Sequence, residues 1–168
     1  MKYLFLLFVS SCGFDNFTST HTLFFTFPQD HGVDNLKLSF WPENWIEELE
    51  KENGIDVTDA EYSRLDAFEL SSREEDKLID FIESIDVYLG SNEHTEIKMA
   101  WADNIKPTAN IDLIVNPDIE LLTYAHAYGT YVRTNFHGVA PKNDLDVAAK
   151  ISIYTETTWG MACSMSKL

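Results

Sequence analysis

The apolar positions of this chain fall mostly into runs of period two. Leu145, Val147, Ala149, Ile151 and Ile153 alternate with polar or small neighbours, the pattern of a strand with one buried face. Leu36, Leu38 and Phe40 alternate in the same way, as do Ile97, Met99 and Trp101, and Ile111, Leu113 and Val115. Residues 21–27, His-Thr-Leu-Phe-Phe-Thr-Phe, are an aromatic and β-branched run closed by Pro28, again a strand signature. Tyr62, Leu65, Phe68 and Leu70 mark a strand over 62–70, and a further run extends from Gly129 to Phe136. The break at Gly90-Ser91-Asn92 turns 84–101 into a hairpin.

Two segments carry helical spacing instead. Over 42–53, Pro42 suits a first turn, Trp45, Ile46 and Leu49 share a face, and Asn53-Gly54 supplies a stop. Ser72 and Glu75 form a capping-box pattern ahead of Leu78, Phe81, Ile82 and Ile85, which predicts a short helix passing into a strand near Ile85. Residues 119–127 fit one helical turn crossing between sheets. Short strands with turns about every 8–14 residues predict a mainly β protein. The expected fold is an antiparallel β-sandwich, immunoglobulin-like or of jelly-roll type, with one or two short helices.

Length and charge narrow the picture. The chain has 168 residues and a net charge of −16, so one domain with a sizeable core is expected. That field repels phosphate backbones and anionic lipid surfaces, which argues against a nucleic-acid partner, and it attracts divalent cations or basic protein patches. Its plain role is solubility. The two cysteines, Cys12 and Cys163, form no Cys-x-x-Cys pair, so no structural zinc site and no cofactor are expected. A bridge between them is the lesser reading.

The first residues read as an address. Lys2 gives a positive start, Tyr3 to Val9 an apolar stretch, and Ser10 and Ser11 a small pair before Cys12. The stretch is far short of the ~20 apolar residues that span a bilayer. Val9-Ser10-Ser11-Cys12 resembles the lipobox of bacterial lipoprotein signal peptides. That resemblance implies acylation of the Cys12 thiol, cleavage before it and acylation of the new amino group. Two or more acyl chains anchor stably, whereas one holds marginally. The resulting organisation is a signal peptide over 1–11, a tether over 12–20, a sandwich over 21–158 and a tail over 159–168. The competing reading makes residues 3–9 a buried first strand. Ser166-Lys167-Leu168 is a peroxisomal ending in eukaryotes, and Asn16-Phe17-Thr18 a glycosylation sequon; both conflict with a bacterial export signal.

From residue 84 the order Ser84-Ile85-Asp86-Val87-Tyr88-Leu89, Glu96-Ile97-Lys98-Met99-Ala100-Trp101, Ile111-Asp112-Leu113-Ile114-Val115, Ile119-Glu120-Leu121 and the strand from Thr130 resembles small β-sandwich lipoproteins of Bacteroidota-type bacteria. The likeness spans about residues 62–155 and its motifs are loose. It brings no catalytic residues. Surface export in such bacteria often follows an acidic cluster after the lipidated cysteine; here only Asp15 follows closely, so periplasmic and surface orientations of an outer-membrane anchor both stay open.

The candidate chemistry is thin. None of His21, His31, His94, His126 and His137 pairs at metal-ligand spacing. Asp30 and Asp34 with Asn35 share one turn, Asp56, Asp59 and Glu61 another, and Asp144 and Asp146 one strand face. These are weak calcium candidates without a full ligand set, better read as solvated turn carboxylates. Ser63, Ser71, Ser72 and Ser152 lack a Gly-x-Ser-x-Gly context. Trp45 and Trp101 sit on apolar faces and are expected in the core, which leaves Trp41 and Trp159 as the candidate ligand-binding aromatics. The expectation is a non-enzymatic envelope lipoprotein, anchored through Cys12, that serves as an accessory or scaffold subunit with a protein partner. The alternatives are a carbohydrate-binding module, assisted or not by calcium, and a glycoside hydrolase, which needs two carboxyls at a set separation.

Overall fold

The computed structural model describes residues 14–29, 60–125 and 127–158. The strand expected at 36–40, the helix at 42–53 and residues Cys12, Asp30, Asp34, Trp41, Trp45, His126, Trp159 and Cys163 lie outside the described residues. The chain runs through β1 (Phe14–Phe27), β2 (Ala60–Ser72), β3 (Ile82–Gly90), β4 (Ile97–Ala102), β5 (Asn110–Asp112), β6 (Ile114–Val115), α1 (Leu121–Ala125), β7 (Tyr131–Gly138) and β8 (Leu145–Thr158).

The strands form two sheets, ordered β1-β8-β2-β5 (sheet I) and β6-β4-β3-β7 (sheet II), and every pairing is antiparallel. β1 pairs with β8, β2 with β5 and β3 with β4, as nested arms of one long hairpin. Rolling that hairpin up sets β8 beside β2 and β7 beside β3. Of the two sandwich types expected, this nesting is that of a jelly roll. Leu113 breaks one short extended stretch into β5 and β6: its N–H donates to Phe68 O at 2.9 Å, and the next residues cross to sheet II.

Alternation decides which residues face inward. On β8, Leu145, Val147, Ala149, Ile151 and Ile153 are buried, opposite Ile85, Val87 and Leu89 of β3 and Val132 and Phe136 of β7. Phe27 sits at the centre of the far half, edge-on to Phe25, Phe81 and Phe136 at ring separations of 5.1, 5.0 and 5.1 Å, a favoured aromatic geometry. Gly138 (φ +154°) ends β7 where a Cβ would stand 2.1 Å from Phe81 O, so only glycine lets the two backbones close.

Three expectations are corrected. Residues 14–20, expected as a tether, are the first half of β1 and pair in unbroken register with 152–158 of β8; the Ser, Thr and Asn that suggest a loop stand on a strand whose backbone partner is distant in sequence. Accordingly the sandwich begins at Phe14 rather than at residue 21. The helix expected after Ser72 does not form. The Glu74 N–H donates to Ser72 Oγ (3.3 Å), but Ile79 then exchanges backbone bonds with Thr108, Phe81 O accepts from Val139 N–H and Glu83 O from Ile105 N–H. Those non-local bonds claim the groups a helix needs.

The sandwich has two distinct ends. The near end holds the start of β1, the end of β8, the start of β2, loop 91–96 and α1 with its flanks. Glu120 locks α1 there: one carboxylate oxygen accepts from the Leu122 N–H of the helix's first turn and from the Ser63 N–H beside a β2 bulge, both at 2.9 Å. The far end gathers 28–29, 73–81, 103–109 and 139–144. Because Phe27 is fully buried and touches three rings, Phe27→Ala is expected to cost about 3–5 kcal/mol of unfolding free energy, measurable by urea titration, with Phe24→Ala on the exposed face costing far less.

Candidate functional site

Among the described residues, side chains available for recognition gather on the outer face of sheet II, at the far-end clefts and at the near-end corner. The outer face of sheet II arises from the strand period. Asp86 and Tyr88 on β3, Lys98 and Trp101 on β4, and Arg133 and Asn135 on β7 are the half-buried, outward members of their alternations. A register shift between Val87 and Tyr88 lets β4 present both Lys98 and Trp101 outward although they are three apart.

These side chains form one charge-balanced network. Arg133 lies over the Tyr88 ring, 4.5 Å from its centroid, donates to Asn135 Oδ1 at 2.7 Å and forks onto both carboxylate oxygens of Glu96. Tyr131 OH donates to the same carboxylate at 3.2 Å. Lys98 pairs with Asp86 Oδ1 at 2.5 Å and stands 5.7 Å from the Trp101 ring centroid, within cation–π range. The bond from Arg133 holds the Glu96 carboxyl below its usual range, partly offset by burial. The bond from Glu96 raises Arg133, and that from Asp86 raises Lys98. Burial, then the bond to Glu96, pushes the Tyr131 hydroxyl up.

Clefts open at the far end. One, of about 330 Å³, is lined by Asp76, Leu78, Phe81, Pro141, Lys142 and Asp144 among others. Another, of about 630 Å³, lies between Glu83, Ser84 and the 103–107 turn, where Asn104 takes φ +55°. Leu78 and Val139 are half or more exposed there.

Of the sequence-derived candidates, Asp144 and Asp146 fall at this end, each already engaged. Asp144 Oδ1 accepts from Gln29 N–H and Asp146 Oδ1 from Thr26 OH, both at 2.6 Å. Those bonds tie the end of β1 to the start of β8. Among the described residues no group of three His, Cys, Asp or Glu side chains is placed to hold a metal. His94 packs edge-on to Tyr124 in the near-end loop, and His137 stands on the exposed side of β7. Trp101, expected in the core, is on the outer face instead, since the bulge reverses its side. Nothing in the sequence brings Tyr88, Glu96, Arg133 and Asn135 together, since they become neighbours only across β3, β7 and the loop before β4. The period-two spacing of Asp86 with Tyr88 and of Arg133 with Asn135 was the available signal.

No protein-family model and no curated protein matches the chain. Among solved structures it is similar to the BFDV capsid protein. The decameric form superposes at TM-score 0.47 with 10% identity, over 86% of this chain and 99% of that one. The 60-mer form superposes at 0.42 with 8% identity, over 89% and 95%.

The Glu96–Arg133 pair is expected to stabilise the fold by about 1 kcal/mol, the small size reflecting solvent screening of a part-exposed pair. Because the folded pKa of Glu96 lies below its unfolded value, that contribution is full above the unfolded value of about 4.3 and fades as pH falls through the folded one. Denaturant titrations from about pH 7 to pH 3 should therefore show Glu96→Gln less stable than the wild type at neutrality, with the gap closing in acid.

Proposed function

We propose that this chain is a lipid-anchored, non-enzymatic protein of the bacterial cell envelope whose sandwich serves as an accessory or scaffold subunit for a protein partner. The observation that supports this reading best is the position of the first strand. Only Gly13 stands between the lipobox cysteine, Cys12, and the start of β1, so an acyl anchor there would attach at one corner of the near end. The far end would then point away from the bilayer, with Val139 exposed there and Leu78 exposed at the rim of a cleft that carries Asp76, Asp80 and Asp144 beside Lys77 and Lys142. Exposed apolar side chains with charged groups of both signs around them suit a protein partner with a small hydrophobic contact and a polar rim.

Mass spectrometry of the mature protein from a bacterial host is expected to find Cys12 at the N-terminus carrying acyl chains, and Cys12→Ser in the soluble fraction. A mature chain that keeps Met1 would overturn the anchor. After detergent extraction, a protein recovered with the wild type and lost with Leu78→Glu or Val139→Glu supports the scaffold role; recovery unchanged by both substitutions removes the far end from it.

A second reading is favoured by one observation, the Trp101 ring on the outer face of sheet II beside Lys98, Asp86 and Asn135. A charge-balanced face with an aromatic plane and fixed hydrogen-bonding groups suits neutral hydroxylated ligands such as glycans. Binding on a glycan array, with and without calcium, that falls at least tenfold in Trp101→Ala supports it; no retention on any glycan ends it.

A further inference from the structure

We infer that the near end of the sandwich rests directly on the lipid headgroups, with Tyr128 as its contact residue. This rests on the anchor reading above and extends it from attachment to orientation. The first argument is length. From the Cys12 Cα to that of Phe14 the chain reaches at most about 7 Å, within a Debye length of about 8 Å at physiological salt. A domain so attached keeps the corner that holds Phe14 at the headgroups, which brings the loops sharing that end with β1 within reach of the bilayer.

The second argument is composition. Tyr128, at 76% exposed, is the most exposed large apolar side chain among the described residues, and it sits in the near-end loop whose N–H donates to Glu93 at 3.3 Å. Tyrosine partitions to the headgroup layer, where its ring finds apolar surface and its hydroxyl stays wet. The same end exposes Glu61, Glu93 and Asp118, so the surface it fits is zwitterionic; anionic lipid repels it. The far end stands roughly 45 Å off, the length of a 14-residue strand.

The test uses the acylated full-length chain in a Cys163→Ser background. A fluorophore is placed at Thr123→Cys on α1 or at Asn143→Cys at the far end. The protein is bound to phosphatidylcholine vesicles containing a nitroxide-labelled lipid. Quenching at 123 is expected to exceed that at 143 by at least about twofold, given the separation of the ends. Tyr128→Ser should reduce quenching at 123, and so should phosphatidylglycerol at low salt. Ten Gly/Ser residues inserted after Gly13 should abolish it while the protein stays vesicle-bound. Equal quenching at the two sites in acylated, vesicle-bound protein overturns the orientation and leaves the anchor standing. A chain that a bacterial host leaves unacylated with Met1 retained overturns both.

Discussion

The pairing of β8 with strands on both sides is the constraint from which the rest of the described structure follows. β8 holds β1 along one edge for fourteen consecutive partners and β2 along the other for most of its length. Its inward residues, Leu145 to Ile153, are the floor of the core. A one-residue slip would send every one of them to solvent, so burial and backbone pairing enforce one register. Sheet II depends on that floor: Phe27 reaches Phe81 and Phe136 only because β1 is held where β8 puts it.

Buried strands were legible because their signal is local. The alternation of Leu145 to Ile153, the hairpin around Gly90-Ser91-Asn92 and the run of Tyr131–Gly138 all follow from side-chain period and turn residues. What escaped was decided at a distance. Residues 14–20 carry tether chemistry, yet 152–158 recruit them into the sheet. Leu78, Phe81 and Ile82 carry helical spacing, but Thr108 and Val139 take their neighbourhood's hydrogen bonds. Trp101 was misplaced by a single extra residue in β4, which period-two counting does not register.

The candidate site was less legible for a related reason. A network joining Glu96, Arg133, Tyr88, Asp86 and Lys98 needs three strands side by side, and no spacing in the sequence encodes which residues become cross-strand neighbours. Its composition is telling all the same. In a chain of net charge −16, two of the few cations are matched one to one with carboxylates on the same face. That leaves this part of the surface electrically quiet while the loop ends keep the acidic excess.

The unbroken β1–β8 ladder also sets how the molecule bears a mechanical load. A pull on the start of β1 along its own axis acts on all of its rungs to β8 at once, in shear, since no register shift interrupts them. Hydrogen bonds strained together resist far more force than bonds peeled singly. Freeing β1 along its axis therefore requires its fourteen rungs to β8 to break together rather than one after another.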